Sequence, residues 1–478
     1  NYAESLTEYF NSVATNLKKI QEECNFEIRN QVDQINSIAR QISSLTKQIN
    51  TLEVSGGTAN DLRDQRALLV DKLSYIANVS VEERIVGDNV GVSSYIVKLD
   101  GITLVDGIHY NTLEVVPRTS KVNQNDIDGL YEVYWSNGQK FASESPTLGG
   151  TLQALFEVRD GNNQFNLSGT VNAAVGDTHI VMTDANINDV ADLNIPETGI
   201  ITVGNRDYEY TGFKVEIDKT TGEFKYTFEL KEPVTADAVD AKAEIGRSIS
   251  YKGIPYYMDQ MNKFIRTYAK AFNDIHREGK DLDGNSGMDL FTAVNKVSGR
   301  YYTFGPLRGS ADEAGFDYDT FTSQTGGYYE EIDDDKPLYG SYYFMVAGNF
   351  SVNKDFFTNP RLLATATDVT GGVENSDIVS RLIALKDNRR MFEQGAPDEF
   401  FDTLVSEIGI DAKTATNFAS NQGNILQAIN NQRLSISGVD VDEEAMNLVR
   451  FQNAYNLSAK VITVMDEIYD KLINYMGA

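Results

Sequence analysis

The chain has 478 residues, of which 41% are hydrophobic and 23% charged, and it carries a net charge of −28. That balance excludes a disordered polypeptide and sets a scale of roughly two to four domains. An acidic surface with no dense Lys/Arg cluster repels phosphate backbones, so nucleic-acid binding is excluded, and no apolar run of about 18 residues is present to cross a membrane. Cys24 is the single cysteine, so no intrachain disulfide can form.

The two chain ends read as helical. From Phe10, apolar residues fall at Val13, Leu17, Ile20 and Cys24, and then at Ile28, Val32, Ile35, Ile38, Ile42, Leu45, Ile49 and Leu52. Steps of three and four are the seam of a coiled coil, and such a rod needs partner helices to bury it. Cys24 falls on this seam and packs there as a small hydrophobe. Gly56-Gly57 breaks the rod, Asn60 or Asp61 is expected to cap a second helix, and Leu62, Leu69, Leu73 and Ile76 form its buried side. Residues 1–79 are therefore the N-terminal part of a helical bundle.

Past Val79 the period becomes two, with turns at Gly87-Asp88, Asp100-Gly101 and Asp106-Gly107. Such steps between alternating stretches signal hairpins, so 80–148 is read as a β-rich domain projecting from the helices. Residues 149–161 return to the bundle. Residues 162–250 form a second, separate β-rich body, with a hairpin at Thr220-Thr221-Gly222. Residues 251–278 are a bundle helix, with Tyr257, Met261, Phe264, Tyr268, Ala271 and Ile275 on one face. Residues 279–350 read as an irregular insertion. Residues 351–439 carry helical segments of the bundle (377–385, 398–408, 413–434).

Residues 440–478 are the assembly helix. Asp440 caps it and Glu443 completes a capping box. One stripe runs Leu448, Phe451, Tyr455, Ser458, Ile462, Met465, Tyr469, Leu472 and Met476; a second runs Leu457, Val461, Val464 and Ile468. Two apolar stripes predict more than one neighbouring helix. The expected fold is α+β and multidomain: an elongated coiled-coil bundle formed by both chain ends, with β-rich domains inserted. Segments 10–52, 255–278 and 440–460 are expected side by side.

Three segments carry a resemblance. They are Asn60–Ser74, Gly149–Asp160 (with a sequel at Ala271–Asn285), and Ser437–Tyr455. Together they resemble the flagellar hook-associated protein 1 family. The third segment is shared in part with flagellins and hook proteins. The match is good at both ends and around 149–160 and 255–290, and poor in 162–250 and 292–350. The resemblance implies a non-enzymatic, extracellular flagellar subunit at the junction of hook and filament, on which the filament assembles. It implies export through the flagellar channel without a cleaved signal peptide. It also implies self-association in a helical ring, with hook protein, other hook-associated proteins and an export chaperone as partners. Family members begin with a short helix that pairs with the C-terminal helix; the sequence here starts after it. The alternatives are a flagellin-type filament subunit, or a surface adhesin or glycan-binding module carried by the insertions.

Few residues suggest chemistry. His109, His179 and His276 make no HExxH or close pair. His276 is placed on the polar side of its helix. Asp281, Asp283, Asn285 and Asp289 alternate like ligands of a calcium loop. Ser286 and Thr292, however, stand where an EF-hand needs Gly and Glu, so a structural turn is the first reading and a weak Ca²⁺ site the second. The acid run Glu330–Asp335 reads as a solvated loop. The aromatics Tyr301, Tyr302, Phe304, Tyr328, Tyr329, Tyr342, Tyr343 and Phe344 read as a local core before a glycan platform. No catalytic, cofactor-binding or metal residue is expected, and no cofactor. The candidate site is the helix seam of Leu448, Phe451, Tyr455, Leu457, Val461, Ile462, Val464, Met465, Ile468, Tyr469 and Leu472.

Overall fold

The computed structural model describes residues 2–85, 93–218, 220–305, 320–323, 338–368 and 375–475. Within these the elements are α1 (Tyr2–Val54), α2 (Asn60–Ile76), β1 (Val79–Ile85), β2 (Ser93–Leu99), β3 (Ile102–Asp106), β4 (His109–Tyr110), β5 (Leu113–Pro117), β6 (Tyr131–Trp135) and α3 (Gly150–Asp160). Next come β7 (Ser168–Ala173), β8 (His179–Thr183), β9 (Gly199–Val203), β10 (Arg206–Ile217), β11 (Phe224–Leu230), β12 (Ala238–Ile245) and α4 (Ile254–Glu278). Short strands β13 (Phe291–Ala293), β14 (Tyr302–Thr303), β15 (Thr320–Thr322), β16 (Leu338–Tyr339) and β17 (Phe350–Val352) precede α5 (Asp355–Thr358) and α6 (Asp377–Ala384). The last elements are α7 (Pro397–Ser437) and α8 (Val441–Tyr475). Two compact units divide the chain, Asn1–Pro397 and Asp398–Ala478.

In the first unit α1 is a rod of 53 residues, about 80 Å long at ~1.5 Å per residue. Three shorter helices follow one another along it, each antiparallel to it. Arg63 near the start of α2 donates to Glu53. Thr151 at the start of α3 donates to Gln31 and to the carbonyl of Tyr75, the penultimate residue of α2. Arg159 at the other end of α3 reaches Asn25. In α4, Phe264 stacks on Phe10 at 5.7 Å. The β segments are inserted at the breaks in this composite partner.

The breaks need glycine where backbones nearly touch. A Cβ on Gly150 would lie 2.4 Å from the Ile76 carbonyl oxygen. At the next break Gly161 and Gly253 cross, with the Gly253 N–H donating to Gly161 O at 3.1 Å; either Cβ would lie 2.4 Å from the Glu157 carbonyl. The first helix–helix turn differs from expectation. Ala59, not Asn60 or Asp61, is the N-cap of α2, and no side chain caps it.

Strands β1 to β4 form an antiparallel sheet in that order, and β5 pairs with β6. The turn expected at Gly87-Asp88 lies outside the described residues. This region was expected to project; instead it lies on the helices. Tyr95, Val97, Leu99, Leu104, Val105, Val133 and Trp135 share one core with Ile28–Ile42 of α1, Leu69–Ala77 and α3. Apolar alternation gives the strands one inward face, and the uncovered flank of α1 is what that face meets.

The second β region closes on itself. The order β11-β8-β7-β12-β9-β10 ends with β10 pairing back to β11, and these pairings are antiparallel. The result is a six-stranded barrel, which leaves no open edge among those strands. Phe224, Tyr226, Phe228 and Leu230 alternate inward along β11. β10 is long enough for three neighbours because a bulge between Tyr210 and Gly212 separates its pairing zones. On it lies β15, which comes from the segment expected as a free insertion. That segment's aromatics are core: Tyr302, Phe304, Tyr343 and Phe344 are buried, and Phe304 stacks on Tyr342 at 4.3 Å. Tyr328, Tyr329 and Glu330–Asp335 lie outside the described residues.

In the second unit the separate helical segments expected at 398–408 and 413–434 are one helix of 41 residues, α7. The expected bundle of both chain ends is not confirmed. The bundle observed in the first unit is α1 with α2, α3 and α4.

Candidate assembly surface

α8 starts at the cap the sequence marks, Asp440; no bond from the Asp440 N–H to the Glu443 carboxylate closes the expected capping box among the described residues. The Asp440 carboxylate accepts from the N–H groups of Asp442 and Glu443 at 3.0 and 3.4 Å. Asp442, Glu443 and Glu444 occupy the first turn, where the helix dipole favours negative charge. α7 ends at Gly438, whose N–H donates to Leu434 O at 2.8 Å. A Cβ there would lie 2.2 Å from that same oxygen, so glycine is needed at the joint.

Both predicted stripes of α8 face solvent. In the first, Leu448, Phe451, Tyr455, Ile462, Met465 and Tyr469 are exposed; in the second, Leu457, Val461, Val464 and Ile468 are exposed. The least exposed is Val464 at 48% and the most exposed Tyr455 at 75%. The side chain of Leu472 and all of Met476 lie outside the described residues. α7 adds Val405, Ile408, Phe418, Ile425, Ile429 and Leu434, also exposed. An isolated helix in water is marginal, and contiguous apolar stripes on a soluble protein mark interaction surfaces.

The first unit also has an open strip, on α1. The seam read from the sequence is covered from Ile28 to Ile49, but Ile20 is 43% exposed and Val13, Leu17 and Cys24 are only half-buried. The buried face here is turned toward Phe10, Ala14, Gln21, Asn25 and Ile28. Polar residues hold that turn. Gln21 donates to Asp126 Oδ1 (2.9 Å) and to Arg159 O (3.1 Å), and its Oε1 accepts from the Ile127 N–H. Asn25 Oδ1 accepts from the Tyr131 N–H (2.7 Å) and from Arg159 Nη1 (2.9 Å). Burial pushes the Asp160 carboxyl up, but the Arg118 and Arg159 guanidiniums beside it outweigh this and hold it at about 2. Burial raises the Asp126 carboxyl and the Cys24 thiol.

His276 and the 281–289 loop are tied into the surrounding structure by hydrogen bonds and an ion pair. His276 is fully buried, not on a polar surface. The Ala364 N–H donates to its Nε2 (3.0 Å), which leaves the proton on Nδ1 for the Met288 carbonyl (2.6 Å). Burial lowers its pKa and keeps it neutral. In the 281–289 loop the Asp281 carboxylate accepts from the N–H groups of Asp283 and Asn285. Asp289 is ion-paired with Arg277. Among the described residues no group of three or more His, Cys, Asp or Glu is placed to hold a metal ion. No described helix is long and apolar enough to cross a membrane.

Two family models match. The flagellar hook-associated protein FlgK helical domain covers residues 1–195, and the flagellar basal body rod FlgEFG protein C-terminal region covers residues 430–475. The chain is 24% identical over 478 residues to flagellar hook-associated protein 1 of Bacillus subtilis (strain 168), spanning 99% of this chain and 70% of that protein. It is 26% identical over 488 residues to flagellar hook-associated protein 1 of Escherichia coli (strain K12), spanning 99% and 75%. The chain belongs to the flagellar hook-associated protein 1 family. It is a structural protein of the flagellar hook–filament junction. Among solved structures it is similar to the flagellar hook junction protein FlgK of Burkholderia pseudomallei, with TM-score 0.42 and 16% identity over 90% of this chain and 88% of that one. The C-terminal match coincides with the exposed stripes of α8, and the N-terminal match contains the open strip of α1.

Proposed function

We propose that this family member works without catalysis, by building contacts at the junction through the stripes of α8. One stripe closes the open strip Val13, Leu17, Ile20 and Cys24 on α1, which completes a coiled-coil bundle from both chain ends. The other, Leu457, Val461, Val464 and Ile468, meets a neighbouring copy. Head-to-tail contact of identical subunits then generates a helical ring. Hook protein, other hook-associated proteins and an export chaperone are the expected partners, with export through the flagellar channel. Residues 162–250 are the β-rich part carried outward.

The observation that carries this reading is the exposure of both stripes on a capped, 35-residue helix. Burying each large apolar side chain is worth about 1.5–3 kcal/mol, so assembly gains what the free subunit forgoes. A deletion strain tests the function: electron microscopy should show hooks without filaments, and normal filaments would overturn it. Disulfide trapping tests the bundle. Cysteines placed singly at Leu448, Phe451, Tyr455 and Ile462 should include one that crosslinks to Cys24 in assembled flagella, and silence at all four positions refutes the pairing.

A further inference from the structure

We propose that the seam between the barrel and α4 is a proton-sensitive joint, in which Asp259, buried with one carboxylate oxygen facing no donor and with Asp192 acting on it, loosens the seam when it ionises. The joint is built around Arg266, which is fully buried. Its Nε donates to Met345 O at 2.8 Å. Its Nη1 donates to the carbonyls of Val190, Ala191 and Leu193, at the turn that ends β8's side of the barrel. Its Nη2 donates to Gln124 Oε1 and Tyr343 O. One guanidinium thus ties α4 to the barrel, to the 118–130 loop and to the 341–345 turn. Its hydrogen-bond acceptors are neutral.

Seven residues earlier on the same helix, Asp259 is 4% exposed, and its Oδ1 has no hydrogen-bond partner among the described residues. Such an oxygen is tolerable when the carboxyl is protonated and costly when it is charged. The charged groups acting on it are Asp192 on the barrel turn and Arg266 and Lys263 on α4; Asp189 and the neutral Tyr343 phenol face Arg266, and Glu393 faces Lys263. Lys263 spends its charge on Asp192 at 2.8 Å, across the seam. Burial, reinforced by Asp192, raises Asp259 to about 7 against Arg266 and Lys263. The closed seam therefore keeps a proton that an opened, hydrated Asp259 gives up from about pH 4. Between those values a rise in pH favours opening, by up to about tenfold per pH unit, and above about 7 the effect levels off.

Hydrogen exchange on the full chain at pH 5, 6, 7 and 8, corrected for intrinsic rates, tests this on peptides covering 188–195 and 341–347. The opening constant should climb toward tenfold per unit from pH 5 to 7 and flatten above. Asp259→Asn should abolish the slope. A flat wild-type profile, or an unchanged slope in that variant, overturns the proposal. If Asp259→Asn does not fold, Asp192→Asn decides: the plateau should begin at lower pH, and an unmoved plateau overturns the joint.

Discussion

α4 and α8 are both amphipathic, and they meet opposite fates. α4 buries Asp259, Gln260, Asn262, Arg266, Asn273 and His276 beside its apolar residues. Several of these have a fixed partner: Asn273 accepts from the Leu290 and Phe291 N–H groups, Asn262 from that of Ala347. α8 presents two apolar stripes and leaves them wet. A polar group in an interior is costly unless one geometry satisfies it, so it specifies a unique packing. An apolar stripe specifies only that something covers it. The contrast separates a helix finished within its own unit from one whose apolar stripes stay exposed, the stripes we propose for assembly.

The comparison breaks most sharply at α8. Val464→Asp with Ile468→Asp should leave the thermal melt of the first unit within about 1 °C, since exposed substitutions typically change stability by less than ~0.5 kcal/mol. The same variant should restore no filaments to a deletion strain, because it places charge in a desolvated interface. Normal assembly would show that the stripe is not an interface. Within the first unit, Arg266→Ala should cost about 3–5 kcal/mol by urea denaturation, since it leaves the buried carbonyls of Val190, Ala191, Leu193, Tyr343 and Met345 without their guanidinium donor. A loss under 1 kcal/mol would mean that α4 is held by its apolar face alone. Asn25→Leu should cost about 1–3 kcal/mol, because the Tyr131 N–H and the Arg159 guanidinium lose an acceptor while an apolar residue is gained. An unchanged urea midpoint would deny polar steering of α1.

The smallest effect is a pH dependence opposite to that of the barrel seam. His276 must be neutral to accept from Ala364, and its folded pKa lies below the ordinary 6.5. The unfolded chain thus binds the proton first as pH falls, and stability drops below about pH 6.5. The opening constant at the Ala364 amide, from exchange corrected for intrinsic rates, should rise toward pH 5, and His276→Gln should flatten that trend. An opening constant that rises toward pH 8 instead would contradict the assigned tautomer.

Periodicity and punctuation made much of the fold readable. The rod ends where Gly56 takes φ 85°, Gly149-Gly150 opens α3, Gly222 turns the β10–β11 hairpin with φ 75°, and Asp440 caps α8. The stripes of α8 were legible because exposed apolar side chains keep a clean three-four spacing. The face that α1 buries near its start was not. Gln21 and Asn25 look like solvent residues until Arg159, 134 positions beyond Asn25, is brought beside them. The same blindness put His276 on a surface. Closure of the barrel depended on a bulge at residue 211 and on which strands meet, and β15 joins it from a hundred residues away. None of these leaves a periodic signal.

The crossing of Gly161 and Gly253 brings the two chain passages into the barrel to a single point. A body held only there would pivot on two strands like a flag on a cord. Arg266 grips the same body from the side, several residues along α4, so it has a second point of support. With two supports a lever cannot swing free. A force applied to the barrel is then passed to α4 through two points of support instead of one.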